Sequence, residues 1–196
     1  KIYSKNYKFH LDEYEEKNIF NLIFVLIFFI TNKINTKKII NNNFKTPKIE
    51  GRGSIHNLSL NNFKIRLIDQ SYNANPETMI ECIKNFSGIK NNKRVKYLIL
   101  GNMNELGLKS QGLHLKVLKE IEKYQFYEVI LCGDFFKKTL SMFSKLKNTY
   151  VYKSSSQNIM NYLNKKLHKN AIIMAKCSNK TEVNKFVKLL KLEKDG

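Results

Sequence analysis

The sequence predicts an α/β fold, an open and mostly parallel sheet with helices on both faces, and three observations carry that prediction. From Ser54 onward, apolar runs of strand length alternate with stretches of helix length, the pattern of βαβ units with right-handed crossovers. Two polar, turn-rich segments, Asp69–Asn75 and Gly101–Gly107, follow strand-like runs, and ligands of such sheets sit at the carboxyl ends of strands. At 196 residues the chain is long enough for one α/β domain and part of another.

The first element is the apolar run from Leu22 to Ile30, preceded by Asn18 and Asn21 and ended by Thr31-Asn32-Lys33. A membrane span needs about 20 apolar residues, so the run reads as a buried core helix; its Ile and Val content leaves a buried strand as the second reading. Residues 31–50 read as a helix end and loop, with Asn41, Asn42 and Asn43 marking a break and Pro47 closing it. Strands are then expected at 55–59, 63–69, 96–101, 127–132, 149–152 and 170–175. Helices are expected at 76–87, 110–124, 134–146, 155–167 and 180–191. The densest segment is the elbow Leu67-Ile-Asp-Gln-Ser-Tyr-Asn-Ala-Asn-Pro76. Its asparagines tolerate unusual backbone angles, and Pro76 fits the first turn of a helix behind an Asn75 cap.

The formal net charge of +19 raises nucleic acid as a partner, since phosphate neutralisation drives non-specific binding. The composition argues against it. The cations are nearly all Lys, scattered over every segment, and Arg, the residue suited to bidentate contacts, occurs only at Arg52, Arg66 and Arg94. Cys82, Cys132 and Cys177 are far apart, with no metal-ligand spacing and no even count, and read as reduced thiols. Reduced thiols fit the cytosol and the apolar run is too short to span a bilayer, so a cytoplasmic location without membrane insertion is expected. The run Gly101-Asn-Met-Asn-Glu-Leu-Gly107-Leu-Lys109-Ser110 has the strand–loop–helix context of a P-loop but not its spacing: five residues separate the glycines and Leu108 intervenes before Lys109. A turn with polar groups facing a substrate is the better reading.

The elbow resembles the Asp-Asp-Ser-Tyr-Asn-Ala-Asn-Pro signature of the Mur ligases, in the branch that adds D-alanyl-D-alanine. Leu100-Gly-Asn-Met-Asn-Glu-Leu-Gly107, with His114 beyond it, resembles that branch's Leu-Gly-Asp-Met-x-Glu-Leu-Gly and later His. Asn18-Ile-Phe-Asn21 resembles the family's His-Asn-x-x-Asn, with Lys17 in place of the His; Gly51-Arg52 resembles its Gly-Arg pair; and Ala175-Lys-Cys-Ser-Asn-Lys180 resembles its Val-Lys-Gly-Ser-Arg-Ser loop. The resemblance implies a Rossmann-like C-terminal domain at 51–196 and, at 1–50, the end of a central ATP-binding domain. Taken with a first residue that is not Met, it implies a fragment of a three-domain enzyme.

Under that resemblance Asn18, Asn21, Arg52, Asp69 and Gln70 bind the nucleotide, with Arg52 also the catalytic candidate through its reach toward the ATP phosphates. Ser71, Tyr72, Asn73, Asn75, Asn102, Glu105, Lys176 and Ser178 frame the substrate. Gln70 and Asn102 stand where the family has acids, and each keeps hydrogen-bonding capacity without the charge. The cofactors implied are ATP and Mg2+, held mainly by a part of the enzyme outside these residues, with no metal ligand assigned here. The substrates implied are a UDP-muramoyl-tripeptide and D-alanyl-D-alanine, joined through an acyl phosphate. Because no Gly-x-x-x-x-Gly-Lys-Ser/Thr run occurs among the 196 residues, the chain alone is expected to be inactive, and to be either a monomer or the partner of a separate N-terminal half. The competing readings are a non-catalytic α/β binding module or relic, and a related ATP-dependent ligase such as folylpolyglutamate synthase.

Overall fold

The computed structural model describes residues 19–34, 49–90, 94–143 and 146–193, so Asn18 and the Asn41–Pro47 break lie outside the described residues. The chain divides into two compact units, Lys1–Lys48 and Ile49–Gly196. In the first, the apolar run forms helix α1, Ile19–Thr31, whose end is closed by Thr31 Oγ1 donating to the Ile27 carbonyl at 2.9 Å and the Asn32 amide donating to that of Phe28 at 2.8 Å. The helix was expected; its burial was not found. Leu26 is buried, whereas Phe20, Phe24 and Phe28, spaced four apart on one face, are 60–74% exposed. An all-round apolar helix needs neighbours on every side, and α1 is the one element among the described residues of its unit. At 13 residues it spans about 20 Å, and no helix among the described residues is long and apolar enough to cross a membrane.

The second unit runs β1 (Ser54–Leu60), β2 (Phe63–Gln70), α2 (Pro76–Gly88), β3 (Val95–Gly101), a short 3-10 turn at Gly107–Lys109, α3 (Ser110–Ile121), β4 (Glu128–Cys132), α4 (Asp134–Leu140), β5 (Tyr150–Lys153), α5 (Ser156–Lys166), β6 (Ala171–Lys176) and α6 (Glu182–Leu192). The six strands form one sheet in the order β1-β2-β6-β3-β4-β5. Every pairing is parallel except that of β1 with β2. That exception is a hairpin turning on Asn61 and Asn62, both at positive φ, as a two-residue loop matched to strand twist requires.

Strand alternation puts the side chains on two faces. Leu98, Leu100, Ile172 and Met174 face Met79, Ile83, Val117 and Phe136 of α2, α3 and α4. Tyr97, Ile99, Ile173 and Ala175 face Ile159, Leu163, Phe186 and Leu190 of α5 and α6. Each fully buried aliphatic contributes roughly 1.5–3 kcal/mol of transfer free energy. The chain builds β3, β4 and β5 outward with its helices on one face; α5 then returns on the other face and inserts β6 between β2 and β3. The carboxyl ends of β2, β6, β3 and β4 thus lie side by side, bringing the elbow next to the loops after β6 and β3.

Candidate functional site

The elbow is rigid because its polar groups are spent on itself. Asp69, 1% exposed, accepts from the Ser71 backbone N–H at 2.9 Å and its hydroxyl at 2.6 Å through Oδ1, and from Lys191 Nζ at 2.6 Å through Oδ2. The Asn73 side chain accepts from the Ala74 N–H at 2.8 Å. Asn75 caps α2, its Oδ1 accepting from the Thr78 N–H while Thr78 Oγ1 accepts from the Asn75 N–H, a reciprocal box.

Three strand-end loops then lock together. Lys176 is 3% exposed and donates to the Asn73 carbonyl at 2.9 Å; burial holds its amine below the ordinary lysine range. Ser178 Oγ accepts from the Asn104 N–H at 2.9 Å and donates to the Ala74 carbonyl at 3.4 Å, while its own N–H donates to the Asn102 carbonyl at 3.1 Å. His114, fully buried, accepts from the Met103 N–H through Nε2 at 3.1 Å and donates from Nδ1 to the Ser110 carbonyl at 2.7 Å, the pattern of a neutral imidazole. Burial, opposed by the Ser110 bond, pushes its pKa down. His114 therefore orients the loop after β3 and also packs against Phe135 and Phe136.

Asn102 lies against Gly133, which stands at φ +115; a Cβ there would come 2.3 Å from the Asn102 amide. Its Oδ1 is buried without a hydrogen-bond partner. Glu105, at φ +63, is exposed on the same loop.

On the α6 side of the elbow a cleft of about 260 Å³ is lined by Glu50, Gly51, Asp69, Ser71, Tyr72, Asn184 and Lys191, among others. Asn184 donates to the Ser71 carbonyl at 3.0 Å, and Lys191 joins Asp69 to Glu50, the latter at 2.8 Å. Burial acts to lower the Lys191 pKa, but its two carboxylate partners outweigh it and the net shift is upward; Lys191 in turn holds the Glu50 carboxyl below its ordinary range. Arg52 is exposed, with its guanidinium 4.3 Å from the centre of the Tyr72 ring. Gln70, next along the strand, faces away from the cleft and lies near Gly53, where an added Cβ would stand 3.1 Å from its Nε2. Asn21 is an exposed residue of α1 in the other unit. Among the described residues no three His, Cys, Asp or Glu side chains gather as a metal site.

The structure thus brings Arg52, Asp69, Ser71, Tyr72, Asn73, Asn75, Asn102, Lys176 and Ser178 to one edge of the sheet. Sequence reasoning missed Glu50, Asn184 and Lys191. A signal for two of them existed: Asn184, Val187 and Lys191 share one helical face by spacing, so polar residues there interrupt an apolar stripe.

Residues 57–179, more than half of the chain, match the family model described as Mur ligase, glutamate ligase domain. The chain belongs to the Mur ligase family. Over 171 residues it is 30% identical to a Mur ligase of Buchnera aphidicola subsp. Acyrthosiphon pisum (strain APS), UDP-N-acetylmuramoyl-tripeptide--D-alanyl-D-alanine ligase, covering 87% of this chain and 36% of that protein. Two solved Mur ligases share the fold: MurF ligase from Thermotoga maritima in complex with ADP, at TM-score 0.64 and 18% identity over 87% of this chain and 36% of that one, and MurF from Acinetobacter baumannii, at TM-score 0.64 and 16% identity over 92% and 38%. The chain therefore spans little more than a third of the length of these Mur ligases.

Proposed function

We propose that this chain supplies the C-terminal domain, at 51–196, and the end of the ATP-binding domain, at 1–50, of a cytoplasmic ligase that joins D-alanyl-D-alanine to a UDP-N-acetylmuramoyl-tripeptide in peptidoglycan precursor synthesis. The observation that carries this reading is the convergence of the elbow, the 101–107 loop and the 176–180 loop through the Lys176–Asn73 and Ser178–Ala74–Asn104 bonds, in a chain related to a ligase of that name. Bound ATP would activate the tripeptide carboxylate as an acyl phosphate. Arg52, steadied on the Tyr72 ring, lends a guanidinium to anionic oxygens. Asp69 and Gln70, at the end of β2, are assigned to the nucleotide side with it. Mg2+ is assigned, on the family relationship, mainly to the part of the enzyme outside these residues.

On the substrate side the named residues divide by what their side chains already do. Ser71, Asn75, Lys176 and Ser178 are bonded within the scaffold and fix the loops. Tyr72, Asn73 and Glu105 are exposed, and contact with the dipeptide falls to these three, with the buried Asn102 Oδ1 behind them. Positioning supplies much of the rate in such a reaction.

The test is reconstitution. The chain is mixed with a separately produced N-terminal two-thirds of a related ligase, and ATP-dependent amide formation from the tripeptide precursor and D-alanyl-D-alanine is measured. Product is expected from the mixture and not from the chain alone, which holds no P-loop run. Two folded halves that associate yet yield no product would favour a binding module instead.

A further inference from the structure

Lys191 lies outside every motif above, yet it joins the elbow to the residue beside the Gly51-Arg52 pair. Its ammonium has three donors; one goes to Asp69 Oδ2 at 2.6 Å and one to Glu50 Oε1 at 2.8 Å. The two partners differ in burial. The Asp69 side chain is 1% exposed and that of Glu50 is 73% exposed, with Lys191 at 16% between them. Asp69 Oδ1 is occupied by Ser71, so among the described residues Lys191 is the counter-charge for the buried carboxylate. Breaking such a buried pair from one side leaves an uncompensated charge, whereas the exposed Glu50 arm is weak and separable.

Glu50 belongs to the segment that carries Arg52, and that segment is fastened to the elbow at two further points and closed on itself by a turn. The Gly53 N–H donates to the Asp69 carbonyl at 2.8 Å, the Tyr72 N–H donates to the Gly51 carbonyl at 3.1 Å, and the Arg52 N–H closes a turn on the Ile49 carbonyl at 3.2 Å. Gly51, at φ +76, lets the two backbones meet.

We propose that Lys191 is a positioning residue for Arg52: by tying Glu50 to Asp69 it clamps the 49–53 segment onto the end of β2 and so sets the turn from which the guanidinium reaches the Tyr72 ring. This rests on the reading of Arg52 as a phosphate-facing residue, but its geometry is testable without catalysis. The last helix of the domain then governs the placement of a side chain about 140 residues earlier.

Amide hydrogen exchange and the ring-current shift of the Arg52 side-chain protons are to be measured on this chain and on its K191M, D69N/K191M, K191R and E50A variants. D69N/K191M removes both charges of the buried pair, so it reports on the clamp even where K191M fails to fold. Exchange at Gly53 and Tyr72 is expected to rise by about tenfold or more in D69N/K191M, the scale of one charge-assisted bond, with loss of the Arg52 shift and unchanged protection at Leu98–Leu100 and Ile172–Met174. E50A should speed Tyr72 with a smaller effect on Gly53, and K191R should keep the wild-type pattern. Exchange at Gly53 and Tyr72 within twofold of wild type in D69N/K191M, or an equal rise through the central strands, would overturn the proposal. Failed reconstitution with normal clamp behaviour would instead strike only the functional reading of Arg52.

Discussion

Gly51 lies so close to the elbow that an added Cβ would stand 2.8 Å from the Tyr72 nitrogen, and its φ of +76 already excludes most side chains. Gly51→Ala therefore meets both backbone strain and a clash with main-chain atoms that cannot rotate away. A loss of about 1–3 kcal/mol is expected, read as a lowered urea midpoint with an unchanged slope; a variant as stable as the parent would show that the segment can lift off at no cost. The same residue scale shows what the sequence could and could not convey. That Asp69 rather than Gln70 lines the cleft follows from strand parity, since Ile65 and Leu67 are core residues of the same face, and the apolar spacing was readable. The lone acceptor on Asn102 was not, because it arises from Gly133, thirty-one positions away and in a different loop.

Among the elements, α2 depends on its first turn. The Asn75–Thr78 box satisfies two backbone donors that would otherwise be orphaned, and Pro76 occupies a position where no N–H is needed. Asn75→Ala should cost about 1 kcal/mol, measured by chemical denaturation, while Asn75→Asp should retain most of the stability; equal losses in both would show that the cap is not what Asn75 provides. This cap was legible from sequence, as were all six strands to within a residue or two, because each apolar run is bounded by strong turn formers. The hairpin sense of β1 and β2 was less visible: alternation suggested crossovers throughout, and only the short Asn61-Asn62 gap, too brief for a helix, carried the contrary signal. α4 ends at Leu140, six residues short of expectation, where Ser141 and the turn after it bond back to the helix end. The exposure of α1 had no local signature, since apolar composition is the same whether or not a neighbour is present.

For the whole molecule, acid should be destabilising in two stages. Burial lowers the His114 pKa from its ordinary 6.5, so the unfolded chain takes up a proton that the folded one refuses, and stability falls as pH drops below about 6.5, with a slope of up to about 1.4 kcal/mol per pH unit. Glu120 and Glu182, held below the ordinary 4.5 by Lys123 and Lys185, give up their contributions only at lower pH. Urea midpoints at pH 7 and 5.5 should therefore differ in the parent and converge in His114→Gln; an equal drop in both would assign the effect elsewhere. At this scale the sequence revealed the alternation of strands and helices but not their spatial order, because insertion of the last strand between the second and third is a matter of long-range pairing rather than local propensity. That order bears on synthesis. When β3 leaves the ribosome its neighbour β6 is still ~70 residues away, several seconds at about 5–20 residues per second. During that interval β2 and β3 each present a bare apolar edge of the kind that recruits other chains, so the nascent domain is at its most vulnerable just before its central strand arrives.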